Sequence, residues 1–406
     1  MGSWRKQGAS VAGGRPAAPL GAGGAIAGLV ALGACAACFN TAESLPIGLL
    51  PAISSSMHRS LSETGLLVTI YALVVVGATV PLTRLTRRIP QRPLMAAVVA
   101  GLILGSVGSA IAPDYVLLLG SRIFTALAQS IFWGVAPVQA AALVSAKSRG
   151  KAVTAVLVGS SAGIVIGLPA GTWLGHAAGW RVSFIALAAL AVLVLAAVVV
   201  ALPRRATALV RMSDEPARDL RRYRAVVVAV TLAVTAFYAA YTYVSPFLVH
   251  VSGVSHAAVA LVLLAAGLAS SVGLAGGGVL YARHPRGAIA APVAVMVVAL
   301  ACLFAFASDA GLAVVFVSLD TLGLGILVVA GQTAVLDLGP QNGTAWFSTA
   351  FNVGIASGPL VGALALATSG LRATAFAAAI VAAMALCVAM PRRVTPAANE
   401  RAQLVS

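Results

Sequence analysis

Twelve long apolar stretches, joined mostly by short polar segments, leave this chain one solvent in which to fold. They run over approximately 25–52, 62–84, 93–112, 114–143, 151–175, 180–203, 224–249, 256–281, 287–307, 310–336, 342–367 and 371–391. A hydrocarbon core about 30 Å thick is crossed by roughly 20 helical residues, so each stretch is long enough to span it. Inside lipid every backbone polar group must be satisfied within the segment, which makes each span a helix. The expected class is therefore an all-α integral membrane protein with twelve transmembrane helices.

Composition closes the alternative. Hydrophobic residues make up 60% of the chain and charged residues 9%, against about 25% charged in a typical soluble domain. So few charges could not cover a water-exposed surface.

The formal net charge of +16 raises nucleic acid as a partner. Here, however, the basic residues cluster at the ends of apolar segments, with no aromatic interleaving and no basic helix face. That pattern is the retention of Lys and Arg on the cytoplasmic side of a membrane. With the N-terminus cytoplasmic, 22 of the 26 Lys and Arg fall in tails or alternate loops on that side. Arg59, Arg181 and Arg372 fall outside and Arg122 falls within a span. Both termini are expected in the cytoplasm and the protein in the inner (plasma) membrane. Nucleic acid is not expected as a partner; the lipid bilayer is.

The loop 204–223 carries three of the ten acids and divides the chain in two. Residues 1–24 read as a disordered cytoplasmic tail, 25–203 as one six-helix bundle, 224–391 as a second, and 392–406 as a cytoplasmic tail. Cys35 and Cys38 form a CxxC inside an apolar helical run, where packing is a better reading than redox or zinc chemistry. No metal site is expected.

The fifth span carries a seam of glycines. In VGSSAGIVIGLPAGTWLGHAAGWR, Gly159, Gly163, Gly167, Gly171 and Gly175 recur every four residues with Pro169 among them. That spacing places them along one slowly winding helix face. A face without side chains lets a neighbouring backbone approach closely, the packing that holds membrane helices together. The eleventh span repeats it as Gly354, Gly358 and Gly362, with Pro359 placed as Pro169 is. The echo points to two related bundles about a central cavity, with a solute site near the midplane.

Three ionisable side chains lie within spans. A charge at mid-membrane costs at least about 3 kcal/mol, so such groups tend to be functional or paired. Glu43, in FNTAESLPIGLLP, could be occupied alternately by a proton and a passenger. Arg122, in SRIFTALAQSIFW, keeps its charge and needs an anion, carbonyls or water; Glu43 is a candidate partner. Asp320 either lines the cavity or sits near the outer end of its span. All three are expected to take part in proton coupling.

Side chains that could contact a small organic solute are Asn40, Tyr71, Gln129, Trp133, Tyr238, Tyr241 and Asn352. Polar aromatics can stack on a sugar ring or an aromatic drug while donating a hydrogen bond. Gly159–Gly163 fits GxSxG, but the nucleophile elbow needs a strand-to-helix turn and these residues lie within a helix. No nucleotide-binding phrase is present. No enzyme activity and no cofactor are expected; the energy source is the proton gradient.

The phrases FNTAESLPIGLLP, GLLVTIYALVVVGATVPL, SRIFTALAQSIFW, GLPAGTWLGHAAGWRVSF, YTYVSPF and FNVGIASGPLVGAL resemble those of bacterial sugar efflux transporters. These belong to the twelve-helix drug:H+ antiporter branch of the major facilitator superfamily (MFS). The resemblance covers about residues 25–391, and the fifth-span glycine phrase is specific to that branch. It implies the MFS fold of two six-helix bundles and proton-driven efflux by alternating access. On matching positions Glu43 is similar to the branch's first-span acid and Arg122 to its fourth-span arginine. Four departures stand out. RLTRRIPQRP lacks the glycine and aspartate of the usual loop signature. Ser245 stands where sugar exporters of this type tend to carry an acid, and Gln129 where they tend to carry a histidine. Asp320 occupies a site usually not acidic.

The expectation is a proton-coupled exporter of a sugar or drug, working as a monomer. A proton-coupled importer is the alternative within transport, and a non-transporting membrane sensor or subunit the alternative outside it.

Overall fold

The computed structural model describes residues 22–86, 88–145, 148–203, 219–340 and 343–390. Residues 1–21 of the expected N-terminal tail, the expected C-terminal tail and most of the 204–223 linker therefore lie outside the described residues, and residues 22–24 of the expected tail belong to the first helix. Within them no strand occurs, and the chain forms α1 (Ala22–Ser56), α2 (Leu61–Thr86), α3 (Gln91–Ile111) and α4 (Tyr115–Ala142). α5 (Arg149–Ala162), a π turn (Gly163–Gly167) and α6 (Leu168–Ala178) together make the fifth span; α7 (Trp180–Ala201) ends the first half. α8 (Leu220–Tyr241) and α9 (Val244–His250) make the seventh span. α10 (His256–Arg283), α11 (Ala290–Ala305), α12 (Ala310–Leu338), α13 (Gly343–Ser369) and α14 (Leu371–Ala389) complete the second half.

Eleven of these helical stretches are long and apolar enough to cross a bilayer. The remaining expected span, the ninth at 287–307, has only the 16-residue α11 as regular helix, because the chain from 285 to 289 winds as turns. The exposed apolar side chains, Leu104, Leu193, Val200, Leu268 and Leu364 among them, are those of a multi-pass membrane protein.

Scarce acids are spent on helix starts. Asp114, Asp219 and Asp309 each accept from the backbone N–H three residues on, at 2.8–2.9 Å. Ser60 and Glu63 form a reciprocal capping box at the start of α2.

The halves repeat each other in packing. A Cβ at Gly159, Gly163, Gly167, Gly171 or Gly175 would meet α1 at Gly33, Ala37, Thr41, Leu45 or Leu49 respectively. Each step of four along α5–α6 is thus matched by a step of four along α1. In the second half Gly354, Gly358 and Gly362 face the carbonyls of Thr231, Thr235 and Ala239 on α8, again four apart. Gly179 (φ 96°) and Gly370 (φ 81°) make the corresponding tight joints before α7 and α14, in a left-handed conformation that favours glycine. The arginine two positions on repeats as well. Arg181 donates to the Ala112 carbonyl beyond α3, and Arg372 to the Phe304 and Ala305 carbonyls ending α11. Each cation sits at the negative end of a helix dipole.

The halves meet at the end of the molecule that bears the α1–α2 and α9–α10 turns. Ser245 Oγ donates to the Gly48 carbonyl and Ser62 Oγ to the Ala363 carbonyl, hydrogen bonds that join the two halves. Ile47, Val68, Ala72 and Leu168 of the first half are buried in the core of the second. We refer to this as the closed end.

Candidate functional site

The cluster forms around a break in α1. Pro46 lacks an N–H, so the Ala42 carbonyl four residues earlier has no helical donor. Arg122 of α4 supplies one: its Nη1 donates to the Ala42 carbonyl, and its Nη2 to the Glu43 carbonyl at 3.2 Å. The guanidinium is 1% exposed and stacks over the Tyr71 ring at 4.4 Å, a cation–π contact strengthened by desolvation.

Tyr71 donates from its hydroxyl to Gln129 Oε1 at 2.7 Å, and Gln129 Nε2 donates to Glu43 Oε2 at 2.7 Å. Arg122, Tyr71, Gln129 and Glu43 therefore form one connected group from α1, α2 and α4. The expected Glu43–Arg122 neighbourhood is present, and of the partners open to Arg122 the structure shows carbonyls. The guanidinium donates to the backbone of Ala42 and Glu43, and no hydrogen bond joins it to the Glu43 carboxylate among the described residues. Glu43 is half-buried, and among the described residues no protein donor reaches its second oxygen. Tyr238 on α8 lies within electrostatic range of it from the other half.

The remaining expected site residues divide. Asn40 donates to the Ser160 carbonyl at 3.1 Å, which ties α1 to the glycine seam. Trp133, Tyr238 and Asn352 are partly exposed; Asn352 donates to Ser348 of its own helix at 2.9 Å. Tyr71 and Gln129 are buried and occupied with each other. Asp320 and Tyr241 belong elsewhere. Both line a cavity of about 10 Å³ inside the second half, with Val244, Phe247, Leu303 and Val317. Of the two expected places for Asp320, the contacts do not support the cavity between the bundles: it lies inside the second half, level with Leu303 near the end of α11 and Thr374 near the start of α14. Tyr241 stacks on Phe237 there at 4.6 Å, which withdraws it from the expected solute contacts.

The seam residues are where the sequence places them, with an addition. Pro169 removes a donor, and the turn Gly163–Gly167 is π, closed by the Leu168 N–H to the Gly163 carbonyl. Thr41 donates to that same carbonyl at 3.3 Å. Ser245, which departs from the acid common in sugar exporters, makes the bond to Gly48. That role needed the tertiary structure to be seen.

Two bundles that repeat each other in packing, with a polar cluster formed by α1, α2 and α4, have the architecture of a multi-pass membrane transporter. Residues 32–345 match the family model of the Major Facilitator Superfamily, and the chain belongs to that family. It is 29% identical over 353 residues to the "Probable sugar efflux transporter" of Mannheimia succiniciproducens, covering 86% of this chain and 89% of that protein. Its fold is similar to that of a bacterial homologue of the human lysosomal transporter Spinster, solved inward-facing and unoccupied. The TM-score is 0.75 at 15% identity, over 91% of this chain and 97% of that one. The human organic anion transporter MFSD10 (TETRAN) is similar at a TM-score of 0.65 and 17% identity, over 90% and 99%.

Proposed function

We propose that this transporter exports a small organic solute of the sugar class in exchange for protons, with Glu43 as the coupling site. The observation that carries the reading is the state of Glu43. One oxygen is held by Gln129, the other has no protein donor among the described residues, and the neighbouring cation is committed to backbone carbonyls. Such a carboxylate can take a proton from one side and yield its open oxygen to a hydroxyl-bearing solute from the other. The sugar class rests on the named relative and on the partly exposed Trp133, Tyr238 and Asn352, which offer stacking and amide contacts.

In this reading the closed end faces the outside and both termini lie in the cytoplasm, at the inner (plasma) membrane, following the basic residues. One chain carries both bundles and works as a monomer, without a cofactor. The test is flux in proteoliposomes under an imposed proton gradient, against a panel of sugars and sugar analogues. The wild-type chain is expected to move a solute against proton entry, and Glu43→Gln to abolish that movement while folding normally. Undiminished proton-driven flux in Glu43→Gln would remove Glu43 from the mechanism, and solute moving in the direction of the protons would make the protein an importer.

A further inference from the structure

At the closed end, two histidines meet from opposite halves. His176 lies in the last turn of α6 and His256 is the first residue of α10. Their ring centroids are 5.7 Å apart, with the planes at 81°. His176 is half-buried, and its Nδ1 is enclosed without a hydrogen-bond partner; His256 is exposed.

The geometry points to a divalent transition-metal site, of the zinc class, that bridges the two bundles through His176 and His256 when this end is closed. Two imidazole nitrogens on one tetrahedral zinc, each at about 2.0–2.1 Å, bring the ring centroids to roughly 5 Å apart. The observed spacing is within an ångström of that, and the exposed His256 ring is the one free to turn a nitrogen toward a shared ion. Among the described residues no third His, Cys, Asp or Glu joins them. Water fills the other positions, as suits an exchangeable site rather than a structural one. Imidazole selects zinc-like ions over magnesium or calcium, which prefer oxygen ligands.

The site bears on transport because its ligands come from different halves. Any motion that opens this end separates α6 from α10 and pulls the ligands apart. A metal bound by both therefore favours the closed form by its differential affinity for the two states. External zinc acts as a clamp on the transport cycle. Neither Glu43 nor any of its neighbours takes part, so the inference stands apart from the proposed coupling.

Two measurements on the full chain test it, without a polyhistidine tag and with the exposed thiol removed as Cys387→Ser. The first is calorimetric titration with zinc chloride. One zinc per chain is expected, with affinity falling more than about ten-fold in His176→Ala and in His256→Ala. His256→Cys, which restores a zinc ligand, is expected to recover it. No binding, or binding equal in all these variants, overturns the site. The second is the distance between spin labels at Ser55 and Ser308, exposed at this end in opposite halves. Zinc is expected to narrow the distribution to its shorter component in the wild-type background and to change nothing in His256→Ala. Binding that leaves the wild-type distribution unchanged overturns the clamp.

Discussion

Arg122 donates to the carbonyl of Ala42, the acceptor that Pro46 strands by lacking an N–H. The fourth-span arginine thus completes the first-span helix before it serves any charge. The pair makes a prediction of coupled effects. Arg122→Ala leaves a buried acceptor unmet and is expected to destabilise the protein by about 1–3 kcal/mol. Pro46→Ala returns the helical donor, so the double variant is expected to recover much of that loss. Thermal unfolding of the four proteins in detergent, read as a double-mutant cycle, measures the coupling. Strict additivity would mean that the guanidinium acts on something other than that carbonyl.

The glycine seam predicts opposite outcomes for one substitution at two sites. A Cβ at Gly163 would run into the Ala37 carbonyl, whereas at Gly120 on α4 it would meet nothing within 4 Å. Gly163→Ala is expected to cost about 1–3 kcal/mol, the usual penalty for overfilling a packed contact. Gly120→Ala is expected to gain up to about 1 kcal/mol from helix propensity. Melting temperatures of the two variants check the contrast; similar shifts would deny the close approach of the π turn to α1.

Ser245 bonds the two halves at the closed end, from Oγ to the Gly48 carbonyl at 3.1 Å. A single neutral hydrogen bond contributes about 0.5–1.5 kcal/mol. Ser245→Ala is accordingly expected to raise the ratio of open to closed forms at this end by roughly two- to ten-fold. Distances between spin labels at Ser55 and Ser308 report that ratio. An unchanged distribution would show that the Ser245 bond adds nothing to the closure held by the apolar burial around Ile47, Val68 and Leu168 and by the Ser62–Ala363 bond.

The fold was legible in the sequence because membrane solvation acts on single segments. Apolar length marks the spans, and the four-residue glycine spacing marks which face packs. The fit of that face to α1 at Gly33, Ala37 and Thr41 was implicit in the spacing but had no named partner until the helices were placed. In the site, the rarity of intramembrane charge singled out Glu43 and Arg122. Of the partners open to Arg122 (an anion, carbonyls or water) the sequence names only Glu43, because attraction between charges is visible in a sequence and a carbonyl left by Pro46 is less so. The Gln129 bridge between Tyr71 and Glu43, and the meeting of His176 with His256, depend on helices far apart in the chain. No local pattern encodes them.

Asp320 shows the same limit and yields the last prediction. It is 4% exposed inside the second half, its Oδ1 has no partner, and Val244, Phe247, Leu303 and Val317 surround the adjoining gap of about 10 Å³. A buried acceptor left unpaired costs about 1–3 kcal/mol, and replacing it by an apolar group of similar size removes that cost. Leucine keeps aspartate's branched shape with two methyls in place of the oxygens, and the adjoining gap takes part of the added bulk. Asp320→Leu is therefore expected to stabilise the protein, raising the melting temperature by a few degrees. Proton-driven flux is expected to survive it, in contrast to Glu43→Gln. A variant that melts higher yet no longer couples flux to protons would place Asp320 on the proton's route and show that its unpaired oxygen is kept for that use.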